Sequence, residues 1–148
     1  MSDSRPARAT RADFSKFVPV TTRWNDNDVY GHINNAVYFT YFDSAANQLL
    51  VDAGLLDPAG SATIGVVAET SCTFFASLAY PQRLEVGVRA DQIGRSSVRY
   101  ALAVFAEHSD AAAAQGGFTH VYVDRASQRP VAIPADIRAH LETLRHLV

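Results

Sequence analysis

One segment in the first half of the chain limits the possible folds more than any other feature. It is a long run without Gly or Pro in which almost every position is apolar or small, residues 36–53, AVYFTYFDSAANQLLVDA. Asn34 or Asn35 is a suitable N-cap and Gly54 a suitable residue just past the C-terminus, which predicts a helix of about five turns. A helix with almost no polar face is buried on most sides. In a chain of 148 residues, a curved sheet is the structure that can surround it.

The rest of the chain contains the strands that such a sheet needs. These segments are rich in β-branched and aromatic residues or alternate between apolar and polar types, as in half-buried antiparallel strands. The predicted strands are residues 14–24, 63–78, 84–90, 98–104 and 118–123. The small-residue stretch 109–117 predicts a loop, and apolar residues at helical spacing predict a short helix within 134–148. The fold class is therefore α+β, with a polar tail at 1–13 and one domain at 14–148.

Charge and cysteine content exclude several classes of protein. The chain has 13 Lys and Arg against 15 Asp and Glu, and a formal net charge of -2 offers no positive field to duplex nucleic acid. Its apolar runs are shorter than the ~18 residues of a membrane span, and the N-terminal segment lacks the apolar stretch of a secretory signal. Cys72 is the single cysteine, which excludes an intramolecular disulfide, and its apolar strand context predicts a core position. We therefore expect a cytoplasmic protein.

Polar side chains are concentrated directly before the predicted helix. The opening of this segment is similar to a calcium-binding EF-hand loop, but Tyr30 and Val37 occupy positions where that loop needs oxygen ligands, so a calcium site is excluded. Asp26, Asp28 and His32 form a possible set of transition-metal ligands, although no second His or Cys lies nearby in the sequence.

The same segment is also suited to acid–base or nucleophilic catalysis. The first turn of a buried helix presents unpaired N–H groups and the positive end of the helix dipole, which stabilise an oxygen that gains negative charge during acyl transfer. A carboxylate on the other side of that carbonyl group can attack it or activate a water molecule. The alternative is that Asp26 and Asp28 only cap turns, and the local chemistry leaves both interpretations open.

Residues 23–42, RWNDNDVYGHINNAVYFTYF, resemble the signature of the 4-hydroxybenzoyl-CoA thioesterase-like branch of the hotdog-fold superfamily. The resemblance continues through residues 93–98 and 121–134, and so covers about residues 17–134. It implies a curved antiparallel sheet wrapped around one long helix, and hydrolysis of acyl-CoA or acyl-carrier-protein thioesters without a metal or organic cofactor. It also implies a homodimer or homotetramer with active sites between subunits.

The resemblance implies roles for individual residues of the signature. Asp28, the second Asp of the D-x-D pair, corresponds to the catalytic carboxylate, and Asp26 corresponds to a turn-forming neighbour. Two better-known subgroups carry Tyr or His at the position of Asn35, whose amide can donate a hydrogen bond or cap a helix but cannot act as a general base near neutral pH. His32 either hydrogen-bonds the turn or supplies a second titrating group.

Further residues are implied to contact the substrate. Backbone N–H groups around Asn35 and Ala36 would polarise the thioester carbonyl, and Tyr38 or Phe42 would line the acyl pocket. The residues expected to bind substrate are Asn34, Ala36, Tyr38, Arg95, Ser96 and Ser97. The last three lie in a predicted turn, where an Arg and hydroxyl groups suit the phosphates or pantetheine arm of CoA. An ordinary hairpin turn is the alternative for this segment.

Two other functions are compatible with this fold. A non-catalytic acyl-CoA-binding module would bind the thioester and leave it intact. A hotdog-fold hydratase or dehydratase is expected to carry the pattern D-x-N-P-x-H, whereas Asp28 and His32 are four positions apart with no Pro between them. The sequence therefore favours the thioesterase over the hydratase.

Overall fold

In the computed structural model, which describes residues 5–146, one five-stranded antiparallel sheet packs against a single long helix. The elements in chain order are β1 (Lys16–Thr21), α1 (Asn35–Asp52), β2 (Thr63–Phe74), β3 (Arg83–Ile93), β4 (Ser97–Ala106), β5 (Ala114–Asp124) and α2 (Ala135–Thr143), with short 3-10 turns at Arg11–Asp13 and Trp24–Asp26. The strand order is β1-β3-β4-β5-β2, so β1 and β2 form the two edges. The sheet curves around α1, which confirms the predicted α+β hotdog arrangement.

The central helix α1 begins and ends close to the predicted positions. The side chain of Asn34 caps it by accepting a hydrogen bond from the backbone N–H of Ala36 at 3.0 Å, and Gly54 follows the helix with φ of +73°. The buried residues of α1 are Tyr38, Tyr41, Phe42, Ala45, Ala46 and Leu50. The helix is less enclosed than predicted, because the sheet covers one side of it and leaves Asp43 and Gln48 on an exposed face. Within residues 5–146, no helix has both the length and the apolar character needed to cross a membrane.

Strand β5 begins earlier than predicted. The sequence predicts a loop at 109–117, but β5 starts at Ala114 and pairs with both β2 and β4 through Gly116 and Gly117. A Cβ atom at these two glycines would collide with the backbone carbonyls of Ser71 and Tyr100. The two glycines thus allow the neighbouring strands to approach closely, a role that Gly can have inside a sheet.

Residues 7–13, predicted as part of a polar tail, lie along the outer face of the sheet, opposite α1. The backbone N–H of Ala9 donates to Oε1 of Gln115 at 2.6 Å, and Thr10 forms an isolated β-bridge with Ala111. Phe14 follows this segment and packs edge-on against Phe105, with ring centres 6.0 Å apart. These contacts correct the tail prediction for residues 7–13, since long-range partners replace the water that a free tail would contact. Residues 1–4 of the predicted tail lie outside the described residues.

Three polar side chains are buried inside the core between the sheet and α1. Tyr100, His120 and Tyr122 are each no more than 2% exposed, and the rings of Tyr100 and His120 meet edge-on with centres 5.6 Å apart. Burial lowers the pKa of His120 to about 4, against a smaller opposing effect of the Asp43 carboxylate. The imidazole is therefore neutral at pH 7.

We expect this neutral imidazole to make the free energy of unfolding fall as the pH is lowered from 6.5 to about 4. In that interval the unfolded chain binds a proton that the folded chain does not, so acid favours unfolding. The difference between 6.5 and about 4 corresponds to about 3 kcal/mol from this one group. Urea denaturation across the interval should show a slope of unfolding free energy against pH that His120→Leu reduces. Equal slopes in wild type and His120→Leu would contradict this expectation.

Candidate active site

Asp28 lies in a tight turn directly before α1, and its carboxylate is held by the backbone of that turn. The backbone N–H of Tyr30 donates to Oδ1 of Asp28 at 2.8 Å, and the N–H of Gly31 donates to the Asp28 carbonyl at 3.1 Å. Gly31 has φ of +83°, which a side chain at this position would disfavour. The N–H of Asp28 in turn donates to the carbonyl of His32 at 2.9 Å. The chain therefore returns on itself and presents a half-buried carboxylate beside His32.

Asp26, two residues earlier, has a different environment. It is 1% exposed, and its Oδ2 accepts hydrogen bonds from the Tyr41 hydroxyl at 2.7 Å and from the Arg23 backbone N–H at 2.9 Å. The Arg23 guanidinium contacts Oδ1 at 3.0 Å. Burial alone would raise the pKa of Asp26, but the hydrogen bonds from Tyr41 and Arg23 outweigh it and hold that pKa below its usual value. Both oxygens are thus engaged: Oδ1 holds Arg23, and Oδ2 joins the turn to α1 through Tyr41.

The turn is attached to a second loop that follows β2. The backbone N–H of Ile33 donates to the carbonyl of Leu78 at 2.8 Å. The side-chain oxygen of Asn27 accepts a hydrogen bond from the N–H of Tyr80 at 2.9 Å. These two hydrogen bonds hold the Asp28 turn between the start of α1 and the loop at residues 75–82. The position of the turn therefore does not depend on its local hydrogen bonds alone.

The first turn of α1 offers fewer unpaired N–H groups than the sequence predicts. The N–H of Ala36 donates to Oδ1 of Asn34, and the N–H of Val37 donates to the Asn34 carbonyl at 2.9 Å. Asn34 thus acts as the helix cap, and Ala36 cannot polarise a substrate carbonyl unless that cap opens. Among the residues that the structure describes, the N–H of Asn35 has no protein acceptor. It is the group at this helix end that can donate a hydrogen bond to a ligand oxygen.

A cavity of about 290 Å³ lies next to this helix end. The residues that line it are His32, Ile33, Asn35, Tyr38, Phe74, Phe75, Ala76 and Ser77. Tyr38 packs edge-on against Phe74 with ring centres 5.0 Å apart, and burial raises the pKa of its hydroxyl to about 12, so the hydroxyl stays neutral. Asp28 adjoins the cavity through the backbone hydrogen bond to His32. Phe42, by contrast, is fully buried in the core.

The amino-acid sequence does not indicate that residues 74–77 form part of this cavity. It predicts a strand that continues to residue 78, whereas β2 ends at Phe74 and the following residues turn towards α1. The backbone N–H groups of Phe75 and Ala76 both donate to the carbonyl of Ala113, at 2.8 and 3.0 Å. Because this contact joins segments far apart in the sequence, no local pattern reveals it.

Arg95, Ser96 and Ser97 lie far from this cavity within one chain. Ser97 pairs with Val121 at one end of β4, whereas Val104, seven residues further along, pairs with Ala114 opposite Phe74 at the other end. Seven residues of strand span about 23 Å. The backbone carbonyl of Arg95 accepts a hydrogen bond from Ile133, which fixes the turn against the segment before α2. These residues therefore do not join the Asp28 turn in a single chain.

The remaining reactive groups do not form a second site of this kind. Cys72 is half-buried against the core, and burial raises the pKa of its thiol to about 11, so the thiol stays protonated at neutral pH. Within residues 5–146, no three His, Cys, Asp or Glu side chains are grouped as metal ligands. Because both Asp26 oxygens are engaged by Arg23 and Tyr41, the set Asp26, Asp28 and His32 is not arranged around one ion.

Comparisons with known proteins give consistent matches over most of the chain. The model of a family described as "Thioesterase-like superfamily" matches residues 22–141. The crystal structure of the PA5185 protein from Pseudomonas aeruginosa strain PAO1 is 47% identical, covers 94% of this chain and 97% of that chain, and superposes with a TM-score of 0.92. A thioesterase from Thermus thermophilus, crystallised in complex with coenzyme A and Zn, is 30% identical over 89% of this chain and 95% of that chain, with a TM-score of 0.73.

A curated relative gives a shorter match. The protein YsmA from Bacillus subtilis (strain 168) is 26% identical over 93 residues. The match covers 63% of this chain and 63% of YsmA, so the aligned part spans less than two thirds of that relative.

Proposed function

Since the chain belongs to the thioesterase-like superfamily, we propose that it hydrolyses the thioester of an acyl-CoA to a free acid and a thiol, with Asp28 as the catalytic carboxylate. The observation that carries this proposal is the position of Asp28. Its carboxylate is held in a turn whose partner residue His32 lines the cavity at the start of α1, where the Asn35 N–H lacks a protein acceptor. A carboxylate next to a small cavity that contains a free hydrogen-bond donor suits attack on a carbonyl group.

In the proposed reaction, the thioester carbonyl oxygen accepts a hydrogen bond from the Asn35 N–H, and the dipole of α1 stabilises the negative charge that develops there. Asp28 either removes a proton from water, which attacks the carbonyl carbon, or attacks that carbon itself and forms a mixed anhydride that water then hydrolyses. In both routes the C–S bond breaks and the thiolate leaves and takes up a proton. Label from ¹⁸O-water found in the Asp28 carboxylate after one turnover would identify the anhydride route.

The other residues of the site have supporting roles in this proposal. His32 lines the cavity and is exposed, so it can donate a proton to the leaving thiolate. The Asn35 side chain can donate a hydrogen bond to the substrate but cannot act as a base. The rings of Tyr38 and Phe74 offer an apolar surface to the start of the acyl group. We propose that no metal or organic cofactor takes part.

We further propose that the active protein is a homodimer or homotetramer with sites at the subunit interface. Strand β2 is a long edge strand with unpaired backbone groups, and Val67 and Phe74 on it are exposed. A second copy that pairs with this edge would cover the exposed face of α1 next to it. A second copy is also the only source from which Arg95, Ser96 and Ser97 could reach the cavity. The single cysteine, Cys72, is compatible with a cytoplasmic location.

The test is thiol release from a panel of short-, medium- and long-chain and aromatic acyl-CoAs, each compared with the same acyl group on a carrier protein. We expect turnover of at least one CoA ester at a rate well above its spontaneous hydrolysis. Tight binding of CoA esters without hydrolysis would instead support a non-catalytic acyl-CoA-binding module. Turnover restricted to the carrier-protein form would change the substrate class.

A further inference from the structure

One wall of the active-site cavity is supported by contacts from the opposite face of the sheet. We call residues 75–77 the cavity wall; they line the cavity and follow directly after β2. The pairing of β2 with β5 ends at Phe74. Beyond that point, the N–H groups of Phe75 and Ala76 both donate to the carbonyl of Ala113. The position of the cavity wall therefore depends on Ala113, which is buried on the side of α1.

The N-terminal segment is joined by hydrogen bonds to the residues around Ala113. The N–H of Ala112 donates to the carbonyl of Ala9 at 2.9 Å, and the N–H of Ala9 donates to Oε1 of Gln115 at 2.6 Å. Nε2 of Gln115 donates back to the carbonyl of Ala7 at 2.8 Å. Ala112 is fully buried on the outer face of the sheet, and it directly precedes Ala113. The N-terminal segment is thus one peptide link away from the carbonyl that holds the cavity wall.

Arg8 contacts both the residue before Ala113 and the cavity wall itself. Its Nε donates to the carbonyl of Ala112 at 2.7 Å, and its guanidinium carbon lies 5.8 Å from the centre of the Phe75 ring. A cation at such a distance from an aromatic ring is attracted by the negative face of the ring. Phe75 also lines the cavity that contains Asn35. One side chain of the N-terminal segment therefore holds the cavity wall at two points.

We propose that Arg8 is a positioning residue of the active site, which fixes the cavity wall from the outer face of the sheet and so sets the size of acyl group that the cavity accepts. Arg8 acts through Phe75 and Ala113 and does not touch the reacting atoms. If the wall is released, an acyl group that fills the cavity loses packing contacts, whereas an acyl group too short to reach the wall loses none. This inference rests on the proposed function, because it concerns the acyl selectivity of that reaction.

Amide hydrogen exchange of the full chain, measured by NMR, tests the support of the cavity wall without any reaction. In Arg8→Met, the amides of Phe75 and Ala76 should exchange roughly tenfold faster than in wild type. The reason is that the variant removes a hydrogen bond and a cation–π contact, both of which oppose local opening of the wall. Wild-type exchange rates at both amides in Arg8→Met would overturn the inference.

The matched control is Arg11→Met, in the same N-terminal segment. Nε of Arg11 donates to the carbonyl of Ser109 at 2.6 Å, and its guanidinium carbon lies 5.0 Å from the centre of the Phe105 ring. The control therefore removes the same two kinds of contact on the same face of the sheet, at residues that do not line the cavity. It should leave the exchange of the cavity wall unchanged. Equal acceleration in both variants would show a response to overall stability and would overturn the inference.

Kinetics provide the second readout, with the bulkiest and the smallest acyl-CoAs that wild type hydrolyses. For the bulkiest, Arg8→Met should raise KM roughly fivefold at unchanged kcat, because packing that is equal in ground and transition states is lost. For the smallest, KM should not change. Arg8→Lys keeps a cation and an N–H donor at this position, so it should recover part of the affinity for the bulkiest thioester.

The outcomes separate this inference from the proposed function. An equal rise in KM for both thioesters, or a fall in kcat for both, would show that Arg8 acts through the fold as a whole and would overturn the inference. If wild type hydrolyses no acyl-CoA of the panel but Arg8→Met still accelerates the exchange of Phe75 and Ala76, the proposed function fails and the support of the cavity wall by Arg8 stands.

Discussion

Replacing Asp28 with Asn is expected to lower kcat for the preferred thioester by roughly 10³-fold while leaving the fold intact. The amide keeps the Oδ1 acceptor that holds the Tyr30 N–H at 2.8 Å, so the turn retains its hydrogen bonds. It removes the negative charge and the basic oxygen, and both proposed routes need that oxygen as base or nucleophile. KM for the CoA ester should change little, because Asp28 is not expected to contact the nucleotide.

The matched control for this variant is Asp52→Asn. Like the Asp28 carboxylate, the Asp52 carboxylate accepts one hydrogen bond, in this case from Nε2 of Gln48 at 2.7 Å. Asp52 is the last residue of α1, whose 18 residues span about 27 Å. The control therefore makes the same chemical change at the far end of the same helix and should retain full activity. A wild-type rate in Asp28→Asn, with thioester hydrolysis established, would exclude Asp28 as the catalytic group.

Replacing Asp26 with Ala is expected to lower the free energy of unfolding by about 3 kcal/mol. The change leaves the hydroxyl of Tyr41, which is 5% exposed, without its acceptor, and it removes the bond from the Arg23 N–H. It also frees the Arg23 guanidinium, but that group is 69% exposed and is readily hydrated, so the buried hydroxyl accounts for most of the loss. Urea denaturation at pH 7 measures the effect.

Two further variants identify the cause. Asp26→Ala combined with Tyr41→Phe removes both partners, so it should be more stable than the sum of the two single changes predicts. Asp43→Ala, at an exposed residue of α1, should cost less than about 0.5 kcal/mol. If Asp26→Ala unfolds at the wild-type urea concentration, the carboxylate does not anchor the turn to α1. Additive effects of Asp26→Ala and Tyr41→Phe would show that the hydrogen bond between them contributes little.

Most of the fold could be predicted because it depends on local patterns. The run of apolar residues at 36–53, with Asn34 or Asn35 as a possible cap, predicts α1 to within one residue at each end. Alternation predicts β3 and β4, since side chains on one face of these strands enter the core. The predicted start of β5 was wrong, because Gly116 and Gly117 are residues typical of loops. In the structure they lie inside the sheet, where their lack of a side chain lets two neighbouring strands approach.

The candidate site was predictable only in part. The order of Asp28, His32 and Asn35 before a helix indicates a turn that faces a helix end, and the structure places the latter two in one cavity beside Asp28. The hydrogen bond from the Ala36 N–H to the Asn34 side chain could not be predicted, because several N–H groups of the first helical turn are possible donors to that side chain. The distance of Arg95 from the cavity depends on the sheet register, which the local turn does not determine.

By itself, the amino-acid sequence determined the buried helix, the alternating strands and the polar turn that holds the proposed catalytic carboxylate. Each of these depends on residues within a few positions of one another, where hydrogen bonding and side-chain periodicity act directly. The tertiary structure alone decided that residues 74–77 complete the cavity, that residues 7–13 lie on the sheet, and that Arg8 approaches Phe75. These features join segments up to about a hundred positions apart, and the packing of the sheet, not any local preference, brings such segments together.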